Sequence, residues 1–519
     1  MVRPLPQLLP FDQHNRLLES NVHPSDWKNP VPAPNYHLVV IGAGTAGLVT
    51  AAAAAGLGAR VALIESDLMG GDCLNVGCVP SKSLIAASRF AANGQRGKKL
   101  GISISEKLSI NFSEIMERMR EQRARISPMD SATRFQKLGV DVFFGKGSFA
   151  DNNTISVNPE NGSATHLKFK KAVIASGARA TIPKIQGLDQ VDFLTNETLF
   201  SITELPSRFG VIGGGPIGSE IAQCFARFGS DVSLFERGTH ILGREDLQAA
   251  SVVQNQFEEE GINLFLESNN LTLTKSENGI LVRGIKGGNA TPFETTVDKI
   301  LIAVGRTPNI ENLNLKSVNV NSNAQGIVVN DSLQTSNPQI FAAGDVCSKY
   351  KFTHAADFQA RIVIQNALFA IGPLGRKKAS QLLIPRATYT SPEIAHVGLY
   401  PQEAEAQGIE IDNFTQSFEH VDRAILDSAE EGFVKVHTRK GTDQIVGATI
   451  VAEHAGDLIS EISVAITNKI GLSKIGATIH PYPTYADAIR KLGDQFNKTK
   501  LTPLSRKVLR WLLWVNVGR

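Results

Sequence analysis

Residues 36–65, YHLVVIGAGTAGLVTAAAAAGLGARVALIE, run from an unbroken apolar stretch through three glycines into an alanine-rich stretch, then into a second apolar run that closes on an acid. That order predicts a strand, a tight turn, a helix and a second strand. The charge-free run 38–59 is long enough to cross hydrocarbon, but Gly42, Gly44 and Gly47 would break it where strand becomes helix. The pattern returns in RFGVIGGGPIGSEIAQCFARFGSDVSLFER, where Gly213, Gly215, Gly218 and Glu236 each lie 171 residues beyond Gly42, Gly44, Gly47 and Glu65. Two further apolar runs, KAVIASG ending at Gly177 and KILIAVG ending at Gly305, follow one copy each. Each copy is therefore expected to open its own doubly wound sheet. From residue 384 the pattern changes. GFVKVHT and IVGATIV alternate apolar with polar or small residues, and DLISEISVAITNKIG has helical spacing, which together predict a separate α+β unit.

The two glycine patterns carry chemistry in this setting. The first glycine permits the tight turn, the second lets the backbone approach a pyrophosphate, the third allows close helix–strand packing, and the helix N-terminus supplies partial positive charge. Glu65 and Glu236 stand where ribose hydroxyls would be bound. Two dinucleotides in one chain suggest an electron relay, most simply a nicotinamide handing hydride to a flavin. Composition narrows the rest. At about 100–200 residues per domain, 519 residues suggest three or four units. With 53 basic and 50 acidic residues the net charge is +3, which gives no electrostatic reason to propose nucleic acid as a partner. Four cysteines are too few for a disulfide scaffold, and the N-terminus lacks the apolar core of a secretory signal, so a reducing compartment, the cytoplasm, is expected.

Two of those cysteines sit together in GGDCLNVGCVPSK, ahead of a helix-like stretch, SKSLIAASRFAA. In a regular helix Cys73 and Cys78, five apart, would point about 140° from each other with Cα atoms roughly 8.6 Å apart. Disulfides rarely exceed about 7 Å, so a bond between them needs a distorted first turn, which Asn75 and Gly77 permit. Thiolates near a helix N-terminus would also have a lowered pKa. A structural metal site fails on ligand count, because no second CxxC or His pair at finger spacing exists. A pair of core thiols and a reactive disulfide both stay open on these grounds. Cys224 and Cys347 read as packing.

GAGTAG, GGDCLNVGCVPSK, GGGPIGSE, AVGRTPN, FAAGDV and YTSPEIAHVG together resemble the class I pyridine nucleotide-disulfide oxidoreductases, the family of lipoamide dehydrogenase, glutathione reductase and mercuric reductase. The resemblance runs from Tyr36 to about Thr502. It implies an FAD-binding domain (36–182 and 309–383), an NAD(P)-binding domain (183–308) and an interface domain of a homodimer (384–502), flanked by an N-terminal arm (1–35) and a basic, Trp/Leu-rich tail (503–519). Cys73 would be the interchange thiol facing substrate, and Cys78 the charge-transfer thiol against the flavin. Lys82 and Glu220 match the ion pair near the flavin and nicotinamide, Asp345 beside Gly344 matches the acid that holds the ribitol, and Gly147 matches a backbone contact near the adenine. Gly177 and Gly305 close the corresponding strands of the FAD and NAD(P) sites. The implied relay passes electrons from NAD(P)H through FAD to a Cys73–Cys78 disulfide and on to a disulfide, a soft metal ion or another acceptor; in lipoamide dehydrogenase it runs backwards.

Departures from the family pattern bear on the acceptor. Relatives that act on disulfides or dithiols end in His-Pro-Thr, the His being a base held by a Glu and supplied by the partner subunit. Here the segment is IHPYPTYAD: Tyr482 replaces the His, His480 lies two residues earlier, and Asp487 takes the place of the Glu. A phenol with a pKa near ~10 shuttles protons poorly at neutral pH, which counts against lipoamide or glutathione turnover. Mercuric reductase also carries Tyr there, yet this sequence has no vicinal Cys-Cys near its end and no N-terminal CxxC, which counts against efficient Hg(II) turnover. His480 taking over the base role, dihydrolipoamide dehydrogenase activity, and a flavin redox sensor without turnover are the rival readings. Glu236 should repel a 2′-phosphate and favours NADH, whereas Arg237 sits where NADPH users carry a phosphate-binding Arg. The first 35 residues, without clear periodicity, read as an extended arm wrapping the domain or as partly disordered. The segment TPLSRKVLRWLLWVNVGR is expected to dock on its own domain or the dimer partner, the alternative being contact with a membrane surface.

Overall fold

The computed structural model describes residues 8–102, 109–160 and 162–518. The chain forms two compact units, one of Met1–Ala91, Leu108–Arg237 and Asn263–Leu382, the other of Ala92–Lys107, Gly238–Ile262 and Leu383–Arg519. The segment Gly238–Ile262, which the sequence groups with the NAD(P)-binding region, has its contacts with the second unit. There its helix Leu247–Glu259 packs on the strands Glu393–Gly398 and Ile445–Ala452, and Lys435 pairs with Asp246 at 2.9 Å.

The first unit holds the two expected α/β folds. Strands Val140–Phe144, Val61–Glu65, Tyr36–Ile41 and Thr165–Ile174 lie parallel in that order, and Ile340–Ala342 adds to Thr165–Ile174 on its far side. All five residues of VALIE are buried, as a strand covered on both faces requires. The ten-residue strand Thr165–Ile174 also joins Thr154–Asn158 and Lys146–Asp151 in an antiparallel meander through its first half. A second parallel sheet repeats the plan in the order Asn263–Phe265, Asp231–Phe235, Arg208–Ile212, Lys299–Ile302, Phe193–Leu194. Its meander is Asn269–Ser276, Gly279–Lys286 and Thr291–Val297. KAVIASG and KILIAVG occupy equivalent places, each beside the first strand of its own fingerprint. The alanines of helix Thr45–Gly56 serve packing: Ala46, Ala51 and Ala54 are buried, and small side chains let this helix lie close to Thr353–Ile364.

The second unit is a five-stranded antiparallel sheet, Arg386–Thr388, Glu393–Gly398, Ile445–Ala452, Phe433–Arg439 and Ile411–Ser417. Helix Ala455–Thr467 covers the side of Glu393–Gly398 and Ile445–Ala452, and helix Asp487–Thr499 covers the side of Ile411–Ser417. The latter buries Ala488, Ile489, Leu492 and Phe496, one face at helical spacing.

The N-terminal arm departs from the sequence reading, and the tail departs from one of its two expected docking places, its own domain. Within the arm, Gln13–Val22 is a regular helix, neither extended nor disordered, capped by Asp12, whose carboxylate accepts from the His14 and Asn15 amides. At the other end, Pro503–Val517 is a helix with no buried residue, so it does not dock on its own domain. Among the described residues no helix is long and apolar enough to cross a membrane.

Candidate active site

The two fingerprints show why their glycines differ in purpose. A Cβ on Gly42 would come within 2.4 Å of the Ala175 carbonyl oxygen, and one on Gly47 within 1.8 Å of the Gly42 oxygen; Gly213 and Gly218 repeat this at 2.6 and 1.9 Å. These four are bare because the fold leaves no room. A Cβ on Gly44 would meet nothing nearer than Gly71 Cα at 3.8 Å, and one on Gly215 nothing within 4 Å. Each of these second glycines is also the N-cap of its helix and makes no side-chain cap bond. Open backbone beside uncapped helix N–H groups fits a pyrophosphate at both sites. The acids close each site from the next strand: Glu65 accepts from the Ala43 amide and Glu236 from the Gly214 amide, both at 2.6 Å. Burial pushes Glu65 up to about 7 despite bonds from Asp67 and Ala43. Gly147 packs against Ile64 and Ile41, next to Glu65, and Arg237 is exposed beside Glu236.

The cysteine segment does not form one distorted helix. It breaks into Gly71–Asn75 and the 19-residue helix Cys78–Arg96, with Val76 and Gly77 between. Gly77 lies so close under the first piece that a Cβ would come within 2.7 Å of the Asp72 oxygen and 3.4 Å of Cys73 Cα. That fold-back brings the sulfurs of Cys73 and Cys78, both free thiols, into hydrogen-bonding contact. The pair is electrostatically unequal. Cys78 is pulled down to about 6 by the hydrogen bond from Cys73, by Thr353 and by the Lys82 cation, against burial and Glu220. It also opens the long helix, where the macrodipole favours a thiolate. Cys73 is pushed far up, by its bond to Cys78 and by burial. The Thr353 hydroxyl lies 3.4 Å from the Cys78 sulfur.

Lys82 and Glu220 pair at 2.8 Å, with the carboxylate nearly buried. This ties the helix that starts at Cys78 to the helix Pro216–Phe228 that starts at the second fingerprint. One turn further along the latter, Cys224 donates to Ser88 at 3.4 Å from a fully buried position, which is packing.

Other contacts reach the site from residues the sequence did not single out. Arg306, in AVGRTPN, pairs with Asp72 and lies 3.4 Å from the Asp345 carboxylate; burial raises Asp345 above the ordinary range while Arg306 opposes it. Gly344, next to Asp345, donates its amide to Gln359 at 2.9 Å. Behind the cysteines, Arg123 donates to the Asn75 carbonyl at 2.6 Å and to Asn15 of the arm helix at 2.7 Å. Asp12 pairs with Arg120 at 2.5 Å, and Met69 donates to the Val22 carbonyl at 3.1 Å. The arm helix thus braces the back of the cysteine loop. Asn75, expected only to permit a turn, is 3% exposed and itself donates to Met69 and Gly71.

Residues His480, Tyr482 and Asp487 lie in the second unit. Tyr482 is exposed, and its hydroxyl donates to Asp422 at 2.8 Å; that bond raises its pKa. Asp487, expected to stand in for the Glu that orients the base, instead pairs with Arg490 at 2.8 Å and Lys491 at 3.1 Å. It is the first residue of helix Asp487–Thr499, where cations three and four positions on fall on its own face. The carboxylate beside an imidazole is Glu461, 2.8 Å from His480 Nε2. Burial lowers His480, and the Glu461 bond outweighs it, for a net upward shift.

Residues 36–360 match the family described as pyridine nucleotide-disulphide oxidoreductase, and residues 384–492 match its dimerisation domain. The chain belongs to the pyridine nucleotide-disulphide oxidoreductases, enzymes that work with FAD and NAD(P)H. It is 31% identical over 466 residues to a mercuric reductase of Staphylococcus aureus, covering 89% of this chain and 83% of that one. It is 30% identical over 468 residues to a dihydrolipoyl dehydrogenase of Bacillus subtilis strain 168, covering 88% and 97%. Among solved structures it is similar to a Cu(II) complex of a Cys-to-Ser variant of the HOCl-induced flavoprotein disulfide reductase RclA from Escherichia coli, with a TM-score of 0.78 and 25% identity over 89% of this chain and 99% of that one.

Proposed function

We propose that this enzyme is an NAD(P)H-driven reductase that delivers electrons through the Cys73–Cys78 pair to a soft metal ion, with small disulfides as poorer acceptors. Bound FAD supplies the two-electron carrier between nicotinamide and sulfur. Cys78 holds the thiolate and Cys73 keeps the proton. Attack of Cys73 on a disulfide therefore needs a base to take that proton; the Cys73 sulfur then bonds to one substrate sulfur and expels the other as a thiolate. Cys78 next attacks the Cys73 sulfur, releases the second thiolate and closes the Cys73–Cys78 bond. Tyr482, with a phenol pushed further from neutrality by Asp422, supplies that base poorly. A soft cation needs no such base, because thiolate ligation itself releases the thiol proton. The exposed Tyr482 phenol bonded to Asp422, where disulfide-reducing relatives carry His, is the observation that carries this reading. The match to mercuric reductase and the Cu(II) complex of RclA point the same way.

In this reading Tyr482 completes the site of the second subunit in a homodimer, the cytoplasm is the compartment, and Lys82 with Glu220 sets the charge beside the thiolate. NADH is the preferred donor, because the Glu236 carboxylate faces the end of the second fingerprint while Arg237 points to solvent. Dihydrolipoamide dehydrogenase is the second reading, supported by the 2.8 Å contact between His480 and Glu461, a carboxylate–imidazole pair of the kind a general base needs. A panel of Hg(II), Cu(II), lipoamide and glutathione disulfide, each with NADH and NADPH, separates the two. Metal-ion turnover is expected to exceed disulfide turnover, to fall at least about tenfold in Tyr482→Phe because the phenol oxygen helps hold the ion beside the thiolates, and to stay close to wild type in His480→Ala. Fast lipoamide turnover abolished by His480→Ala would reverse the assignment.

A further inference from the structure

The helix Pro503–Val517 stands on its own caps. The Thr502 hydroxyl accepts from the Ser505 amide at 3.2 Å, Pro503 occupies the first turn, and none of the 15 residues is buried. Trp511 and Trp514 are 60% and 59% exposed. At 100° per residue Leu504, Val508, Trp511, Leu512 and Val515 share one face, with Arg506 and Arg510 across from it and Lys507 at its edge beside Trp511. In the last turn Leu513, Trp514, Val515 and Val517 place apolar groups on every side but that of Asn516. After Asp494 the chain carries Lys498, Lys500, Arg506, Lys507, Arg510 and Arg519 and no acid, although its total charge is only +3, so the preceding residues are net negative.

We propose that this helix is an interfacial anchor that holds the enzyme on an anionic lipid surface. Its cations match acidic headgroups, and its aromatic and aliphatic face reaches the acyl boundary. Two other uses fit less well. A protein groove would cover one face and leave the apolar last turn half exposed, whereas a lipid interface surrounds it. Pairing with the same helix of a second copy through the shared apolar face would leave Leu513, Trp514 and Val517, which lie off that face, uncovered. Spanning is excluded by length, about 22 Å against a hydrocarbon core of about 30 Å.

The test uses the FAD-loaded full-length enzyme with vesicles of phosphatidylcholine containing about one-third phosphatidylglycerol. The enzyme should sediment with them, leave at salt on the order of 0.5 M, and bind pure phosphatidylcholine at least about tenfold more weakly. Arg506→Glu/Lys507→Glu/Arg510→Glu should cut the partition coefficient about a hundredfold, and Trp511→Ala/Trp514→Ala should also release the enzyme, both variants keeping their NAD(P)H oxidation rate in solution. In a Trp27→Phe background, tryptophan emission should shift to the blue on vesicle binding. Absence of sedimentation, or equal sedimentation of the charge-reversed variant, overturns the proposal. So does slow amide exchange across 503–517 in the lipid-free enzyme, which would mean that a second copy already covers the helix.

Discussion

Cys78 owes its acidity to a small set of neighbours, each removable by one substitution. Cys73 and Thr353 donate hydrogen bonds to its sulfur, and Lys82 adds a positive charge. Because the folded-state pKa lies below the ordinary thiol value, the thiolate persists down to about pH 6 and is lost as pH falls through it. In the reduced, FAD-loaded enzyme the long-wavelength absorbance that reports this thiolate should fade with a midpoint near 6. Lys82→Met and Thr353→Val should each move the midpoint up by about one pH unit. Cys78→Ser should abolish the band while Cys73→Ser keeps it; the reverse outcome would exchange the roles of the two sulfurs. The neighbour Thr353, 275 residues away in sequence, could not have been read from spacing, because nothing in a local pattern marks which distant hydroxyl a fold brings to a sulfur.

At the level of elements, the break between Gly71–Asn75 and Cys78–Arg96 makes the cysteine pair possible. Gly77→Ala would place a methyl 2.7 Å from the Asp72 oxygen, so the loop must open, and the Cys73–Cys78 disulfide should weaken about tenfold in equilibrium with glutathione. The spacing of Cys73 and Cys78 did show that a regular helix could not join them, and Gly77 did mark the weak point. The brace behind the loop was hidden for a physical reason. Helix Gln13–Val22 buries Asn15 together with Leu18 and Val22, and a polar residue on the buried face erases the apolar periodicity by which a helix is recognised. Asn15 is inside because Arg123 is there to meet it. Asn15→Ala should strip one bond from a buried guanidinium and cost about 1–3 kcal/mol, read as a lower denaturant midpoint. Arg123→Met should cost more, since it also abandons the Asn75 carbonyl, and should slow thiol–disulfide exchange at Cys73.

For the molecule as a whole, the repeated glycine pattern made the two α/β folds legible, because three glycines between apolar runs permit few other folds, and the period-two alternation after residue 384 made the α+β unit legible. The position of Tyr482 was legible, but its partner was not: Asp422 lies 60 residues away, whereas the nearby Asp487 is drawn off by Arg490 and Lys491. If each site draws Tyr482 from the second subunit, Cys73→Ser and Tyr482→Ala mutants mixed as heterodimers should regain about half of wild-type activity, since one of two sites is then intact. No regain would confine each site to one chain.

The central claim is that the sulfur pair, and not the flavin alone, carries the electrons outward. Anaerobic titration of the FAD-loaded enzyme with NADH tests it most directly. The expected result is a long-wavelength thiolate-to-flavin band that grows with the first equivalent and disappears when one equivalent of Hg(II), a two-electron acceptor, is added. Reduction that bleaches the flavin without that band would contradict the account.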